Sequence, residues 1–159
     1  MQLSPSIFKA YDIRGIIDET LDPSIAKLIG QAFGTEMREL GEIDIVIGRD
    51  GRLSGPSLIE ALTEGLLSTG INVIDLGMVA TPMVYFAANH TIAGKTPKSG
   101  IMITGSHNPP NYNGFKMVLG TAAIYGEQIQ DLRKRIEAKK FVTGQGTRST
   151  FDIFPMYLK

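Results

Sequence analysis

The 159-residue sequence is 43% hydrophobic and 20% charged, and its sixteen basic residues are matched by sixteen acidic ones. This composition predicts a soluble globular domain and argues against proteins that bind nucleic acid or anionic membranes through an excess of basic residues. The absence of cysteine excludes disulfides, thiolate metal sites and cysteine nucleophiles. The sequence shows neither a signal peptide nor the ~20 consecutive apolar residues of a membrane span, so we expect a cytoplasmic protein.

Helical and strand patterns alternate along the first 140 residues. In chain order, the sequence predicts a helix from Asp22 to Gly41, a strand over 43–48, a helix from Pro56 to Gly70, a strand over 72–76, a helix from Thr81 to about Asn89, strands over 99–104 and 115–118, and a helix from Ile124 to Lys140. Asp22 and Thr81 are expected to cap their helices, because each precedes a proline that suits a first helical turn. The alternation predicts a three-layer α/β/α sandwich with a mostly parallel, mixed, four-stranded sheet.

The pattern changes after Lys140. Residues 141–150 contain two glycines, three threonines and one serine, which is typical of a linker. Residues 151–159 are apolar again, and the sequence ends within this apolar segment. We therefore expect residues 1–140 to form one domain and residues 141–159 to be a linker with the truncated start of the next domain.

The most unusual loop is GSHNPPNYNG, over residues 105–114, directly after a predicted buried strand. Ligands of open α/β sheets bind at the carboxyl ends of strands. Gly105 allows a tight turn, and Pro109 with Pro110 stiffens the exit. Such a rigid loop is suited to presenting Ser106 as a nucleophile or as a carrier of a phosphoryl group.

Three interpretations of Ser106 are open from the residues alone. A serine hydrolase is disfavoured, because the G-x-S-x-G elbow is absent and His107, as an adjacent residue, points away from Ser106. The other histidine, His90, is expected to be structural. A non-catalytic phosphate-binding module is the second interpretation, and a phosphoserine the third.

A phosphoserine requires cations around a group of charge about −2. Lys116 lies between Phe115 and Met117, so it points back towards the loop if those two residues are buried. Arg14 is flanked by turn residues and is a second candidate. The alternative is that both residues are ordinary solvated surface charges.

Several segments resemble those of the α-D-phosphohexomutases, most closely the bacterial phosphomannomutase/phosphoglucomutase branch. TGSHNPPNYNGFK is similar to the active-site serine loop of that family, and FKAYDIRG to its N-terminal motif. IGRDGRLSGP and ATPM are further similar segments, and the resemblance runs from about Phe8 to about Tyr157.

The resemblance implies roles for six residues. Ser106 matches the phosphorylated serine, whose phosphate oxygen also binds Mg²⁺, the expected cofactor. The other matches are His107 and Lys116 around the transferred phosphoryl group, Arg14 close to it, Tyr11 at the substrate, and Asn108 in the loop or the phosphate shell. The turn residues Arg49, Asp50, Arg52 and Ser54, and the pair Thr81 and Pro82, are assigned to local structure.

The resemblance also implies an activity and partners. The family interconverts hexose 6-phosphate and hexose 1-phosphate, here of mannose or glucose, through a phosphoserine and a bisphosphorylated sugar. Family members have four domains, and this chain is similar to the first. The aspartate triplet that supplies metal carboxylates and the loops that bind the sugar are missing from the sequence. We therefore expect the hexose phosphate and the remaining three domains as partners, and an isolated chain without activity.

Overall fold

The computed structural model describes residues 1–158. Seven strands form one mixed sheet in the middle of the fold. The strands are β1 (Ile13–Ile16), β2 (Asp44–Arg49), β3 (Asn72–Met78), β4 (Ser99–Ile103), β5 (Tyr112–Leu119), β6 (Ala122–Ala123) and β7 (Arg148–Thr150). The helices are α1 (Pro23–Glu39), α2 (Gly55–Ser68), α3 (Thr81–Ala88), α4 (Glu127–Ala138) and α5 (Phe154–Tyr157), and a short 3-10 helix covers Pro5–Ile7.

The strand order is β1-β5-β4-β2-β3-β7, with β6 paired to β5. The four strands β4, β2, β3 and β7 are parallel, whereas β1, β5 and β6 pair in antiparallel directions. The carboxyl ends of the adjacent parallel strands β2 and β4 therefore lie side by side at one edge of the sheet. Polar loops follow both strands, and they meet at this edge.

Helices cover both faces of the sheet. Side chains alternate between the faces along each strand, so each face contributes apolar side chains to its own core. Ile45 and Ile47 of β2 pack with α1, α2 and α4 in a first core, whereas Val46 packs with α3 in a second core. The three-layer α/β/α class predicted from the sequence is confirmed. No helix within residues 1–158 is long and apolar enough to cross a membrane.

The ends of α1 carry the signals expected from the sequence. The Asp22 carboxylate accepts a hydrogen bond from the Ile25 N–H at 3.0 Å, which satisfies a free donor of the first turn. Gly41 follows α1 with φ +79°, a left-handed conformation that favours glycine. The predicted start and stop of this helix are confirmed.

The predicted number of four strands is wrong, because β1, β6 and β7 are also present. These three have only four, two and three residues, too few for a period of two to be visible. β5 is also longer than predicted and begins at Tyr112, so the serine loop is shorter.

The expected cap at Thr81 is wrong, because Thr81 is the first residue of α3. The capping position belongs to Ala80, which has an extended backbone and makes no side-chain cap bond.

Residues 141–158 contact the sheet and its second face. Strand β7 pairs with β3, and the Val73 N–H donates to the Thr147 carbonyl at 2.7 Å. Ile153 is fully buried in the second core, and Phe151 and Tyr157 pack against that core. The segment predicted as a linker therefore contains a sheet strand, while the assignment of residues 141–159 to the start of another domain stays a prediction.

Candidate functional site

The serine loop connects β4 to β5 at the carboxyl end of β4. Within it, the Asn108 N–H donates to the Gly105 carbonyl at 3.0 Å and closes a tight turn around Ser106 and His107. Ser106 is exposed and has φ +54°, which is uncommon for a residue other than glycine. Strained backbone of this kind concentrates at functional sites. The loop therefore presents the Ser106 side chain from a fixed and unusual backbone position.

A second tight turn, over residues 9–12, lies beside the serine loop. The Lys9 N–H donates to the Asp12 carbonyl at 2.9 Å, and the flanking residues Phe8 and Ile13 are buried. The Ala10 carbonyl accepts from the Gly126 N–H at 2.7 Å, which ties the turn to the start of α4. Strand β1 follows this turn and pairs with β5, so both segments contribute to one surface.

The two turns and β5 enclose a cleft of about 330 Å³. Its lining residues are Lys9, Ala10, Tyr11, Asp12, Arg14, Ser106 and Lys116. Four of the six site residues expected from the sequence, from three separate segments, therefore meet at one place. Phe115 and Met117 are buried as the sequence predicts, and Lys116 between them lines the cleft.

The charges of this cleft favour an anion. Three cations, Lys9, Arg14 and Lys116, face one carboxylate, Asp12, which leaves a formal excess of +2. Within residues 1–158 none of these cations makes a salt bridge or a side-chain hydrogen bond. The chain as a whole carries no net charge, so this local excess is a property of the cleft. Unpaired cations grouped around a serine are an arrangement suited to a phosphoryl group.

His107 and Asn108 are the two expected site residues that do not line this cleft. His107 is exposed, and its side chain makes no hydrogen bond within the described chain. The Asn108 side chain donates to the Gly105 carbonyl at 2.9 Å, so it shapes the loop. Asn108 also lines an adjoining cleft of about 360 Å³, which shares Lys9 and Arg14 with the first.

Lys9 and Asp12 also line the cleft, although no sequence pattern indicated them. Both belong to the FKAYDIRG segment, and their proximity in a four-residue turn is the signal that would have indicated them. Asp12 also acts beyond the cleft: burial, and then the negative charge of Asp12, raise the pKa of Tyr85 on α3. The Asp12 carboxylate lines the same cleft as Ser106.

Asp50 and Arg52, assigned from the sequence to turn structure, contact the serine loop directly. The Asp50 carboxylate accepts from the Thr104 hydroxyl at 2.8 Å, and the Arg52 guanidinium donates to the Ser106 carbonyl at 3.0 Å. Ser54 accepts a hydrogen bond from the Asn113 side chain at 2.8 Å. These residues hold the loop from the β2 side, a long-range role that no local pattern indicates.

The donors of the cleft do not form a magnesium site by themselves. No group of three or more His, Cys, Asp or Glu side chains suited to a metal is found within residues 1–158. Mg²⁺ prefers oxygen ligands, and carboxylates in particular. The cleft contains one carboxylate and three cations, and those cations oppose the binding of a divalent cation.

His90 has the structural role expected from the sequence. Its Nδ1 lies 2.7 Å from the Phe86 carbonyl oxygen, and its ring stacks on the Phe86 ring. Neither histidine is hydrogen-bonded to Ser106 within residues 1–158. The geometry offers no support for a serine hydrolase, which needs a base within hydrogen-bond reach of the nucleophile.

Comparisons with known proteins agree on one family. Residues 5–143 match the family described as phosphoglucomutase/phosphomannomutase, alpha/beta/alpha domain I. A phosphomannomutase/phosphoglucomutase of Pseudomonas aeruginosa is 50% identical over 157 residues, which are 99% of this chain and 33% of that protein. A phosphoglucomutase of Neisseria meningitidis serogroup B is 52% identical over 159 residues, which are 99% of this chain and 34% of that protein.

A solved structure gives the same result for the fold. The crystal structure of a phosphoglucomutase/phosphomannomutase family protein from Burkholderia thailandensis is 53% identical, with a TM-score of 0.96. It covers 99% of this chain, which corresponds to 35% of the other. The chain thus spans about a third of the length of the relatives it matches.

Proposed function

The chain belongs to the phosphoglucomutase/phosphomannomutase family, as its first, α/β/α domain, and on this premise we propose that it is the phosphoserine domain of a phosphohexomutase. The proposed reaction interconverts hexose 6-phosphate and hexose 1-phosphate of mannose or glucose. Ser106 carries the phosphoryl group that is transferred, and a bisphosphorylated hexose is the intermediate.

One observation carries this proposal: Ser106 shares a cleft with three cations that have no partner within residues 1–158. A serine that acts only as a nucleophile needs a base and no such cations. A phosphoserine carries a charge of about −2 and is stabilised by cations grouped around it. The excess of positive charge at this position therefore supports a resident phosphoryl group.

The proposed chemistry consists of two transfers in opposite directions. In the first, a free hydroxyl of the sugar phosphate attacks the phosphorus on Ser106; the bond from Ser106 Oγ to phosphorus breaks, and a sugar oxygen–phosphorus bond forms. The hydroxyl proton passes to a base, and Ser106 Oγ takes up a proton as it leaves. In the second, Ser106 Oγ loses that proton and attacks the other phosphoryl group of the bisphosphate. The bond from this phosphorus to its sugar oxygen breaks, the sugar oxygen is protonated, and phosphoserine and the isomeric monophosphate result.

Lys116 and Arg14 are proposed to stabilise the charge on the equatorial oxygens of the phosphoryl group during transfer, which is the main catalytic contribution in this reaction class. Tyr11 is 78% exposed at the rim of the cleft, a position suited to contact with the sugar. His107 is proposed as the base, and Asn108 as the residue that shapes the loop. Asp12 is an alternative base, since its carboxylate lines the cleft.

Magnesium is proposed only together with phosphoserine. A phosphoryl group on Ser106 would supply oxygen ligands that the cleft otherwise lacks, and the carboxylates would come from a loop outside this chain. When bound, the ion would neutralise charge on the phosphoryl oxygens. We accordingly propose three further domains that complete the metal and sugar sites, and a cytoplasmic location for the whole protein.

The proposal is tested by assaying the full-length protein and this chain alone with mannose 1-phosphate and glucose 1-phosphate. We expect the full-length protein to form the 6-phosphates, Ser106→Ala to abolish this activity, and the isolated chain to have none. Ser149→Ala, which changes an exposed serine of β7 outside the cleft, is the matched control and should retain activity. Turnover by the isolated chain near ~10 per second would contradict the proposed division of the site between domains. Phosphate binding without turnover by the full-length protein would favour a non-catalytic phosphate-binding module.

A further inference from the structure

The guanidinium of Arg52 lies inside the serine loop and binds its backbone. It donates to four carbonyl oxygens of residues 106–112. The acceptors are the carbonyls of Pro109 at 2.6 Å, Asn108 at 2.8 Å, Ser106 at 3.0 Å and Tyr112 at 3.2 Å. No other side chain within residues 1–158 makes as many bonds to this loop, and the Arg52 side chain is only 16% exposed.

Asp50 completes the arrangement from the other side. Its Oδ2 lies 3.5 Å from Arg52 Nε and accepts hydrogen bonds from the Thr104 hydroxyl at 2.8 Å and the Gly105 N–H at 3.2 Å. The Thr104 hydroxyl oxygen accepts in turn from the Ser106 N–H at 2.9 Å. The Ser106 N–H is thus held by the Thr104 hydroxyl, which is bound to Asp50, and the Ser106 carbonyl is held by Arg52.

This support explains how a strained serine persists in an exposed loop. Ser106 is the first central residue of the turn, with φ +54°, a position that usually belongs to glycine. An unsupported exposed loop would relax to remove such strain. Charge-assisted hydrogen bonds from a planar guanidinium are stronger than neutral ones, and they fix direction as well as distance. A lysine, with a single ammonium group, lacks the fork that reaches four separate carbonyls.

The orientation of the Ser106–His107 peptide has a chemical consequence. In a trans peptide the C=O and the N–H point in opposite directions. Since the Ser106 carbonyl points to Arg52, the His107 N–H points to the opposite side of the loop. This N–H has no acceptor within residues 1–158. It is a donor free to bind an anion next to Ser106, and the bond to Arg52 polarises the peptide in the favourable direction.

We infer that Arg52, with Asp50 as its counter-ion, is a positioning residue that fixes the Ser106 loop and aims the His107 amide at the phosphoryl group. Arg52 itself does not line the cleft, so it acts through the loop it holds. The effect of Arg52 on catalysis rests on the proposed function of Ser106, whereas the claim that Arg52 holds the loop does not. Two measurements separate these parts.

The first measurement is amide hydrogen exchange of Ser106 and Asn108 in this chain, in the unchanged protein and in the Arg52→Ala and Arg52→Lys variants. We expect exchange about tenfold faster or more in both variants, because local opening no longer has to break the guanidinium bonds. Millimolar guanidinium ion should restore part of the protection to Arg52→Ala. Arg133→Ala is the control, since Arg133 is also partly buried and hydrogen-bonded, but on α4. Unchanged loop exchange in both Arg52 variants would overturn the inference, whatever the activity of the protein.

The second measurement is steady-state kinetics of the full-length protein. A displacement of the serine by about 1 Å is expected to lower kcat on the order of 100-fold, with KM changed little and with partial rescue of Arg52→Ala by guanidinium ion. Arg52→Lys keeps the positive charge but lacks the planar set of donors, so kcat of this variant should remain low. If the Arg52 variants showed faster loop exchange but an unchanged kcat, the catalytic part of the inference would be overturned and the proposed function would remain intact. Absence of mutase activity in the unchanged protein would overturn the proposed function, and loop exchange would still decide whether Arg52 holds the loop.

Discussion

Ile153 tests whether the C-terminal segment belongs to the core of this domain. Its side chain is fully buried among α3 and β3 residues. Ile153→Ala removes three carbon atoms, which at about 0.8 kcal/mol each amount to about 2.4 kcal/mol of lost transfer free energy, and the cavity adds to this loss. We expect the free energy of unfolding to fall by about 2–5 kcal/mol, and Tm by about 4–20 °C.

Urea unfolding of this chain, followed by circular dichroism, measures this change. Leu158→Ala is the matched control, because Leu158 has the same size, lies in the same segment and is 74% exposed. We expect the control to remain within about 0.5 kcal/mol of the unchanged protein. If Ile153→Ala were as stable as Leu158→Ala, residues 151–158 would not be part of this core, and their interpretation as the start of the next domain would stand instead.

The remaining predictions concern the site and one helix end. In the full-length protein, Lys116→Ala and Arg14→Ala should lower kcat more than they raise KM, because both charges are proposed to act on the phosphoryl group in the transition state; steady-state kinetics showing a change in KM alone would assign them to ground-state binding. His107→Gln should lower kcat at least ~100-fold and remove one limb of the pH–rate curve; an unchanged curve, with the limb lost in Asp12→Asn, would identify Asp12 as the base. Burial opposes the charge on Asp22, but hydrogen bonds from the Ser24 hydroxyl and the Ile25 N–H outweigh it, so the pKa of Asp22 is lowered on folding. A lowered pKa means that this cap stabilises the fold above the unfolded pKa and that the stabilisation is lost as the pH falls through the folded one. Asp22→Ala should therefore cost about 1 kcal/mol at neutral pH and less in acid, and a pH-independent difference in urea unfolding would refute this.

The fold was predictable wherever a segment was long enough to show its period. The predicted α1 and α2 follow from apolar spacing and from Gly41 and Gly70, both of which have a positive φ. β1 was missed because its four residues include Arg14 and Gly15, which have neither strand propensity nor apolar alternation. β7 was missed because it lies in a segment rich in glycine and threonine, and only its pairing with β3 makes it a strand. Tertiary pairing decides such short elements, and no local pattern encodes it.

The grouping of the candidate site residues was predictable from the sequence, whereas the residues that support the serine loop were not. Ser106, Lys116 and Arg14 were identified from the serine loop, from the alternation along β5 and from the resemblance, and they share one cleft. Arg52 was assigned to local turn structure because it lies 54 residues from the carbonyl of Ser106 that it binds. A hydrogen bond over that separation depends on the adjacency of β2 and β4, which only the folded sheet establishes.

The central claim is that Ser106 carries a covalent phosphoryl group. The most direct test is the intact mass of the full-length protein, purified without phosphatase, before and after phosphatase treatment, followed by peptide mapping of residues 99–116. We expect a fraction of the protein to lose the mass of one phosphoryl group, the modification to map to Ser106, and Ser106→Ala to show no change. After incubation with a hexose 1,6-bisphosphate, a fully dephosphorylated protein should regain the group at Ser106. A protein that carries no phosphate before treatment and acquires none from the bisphosphate would contradict the account.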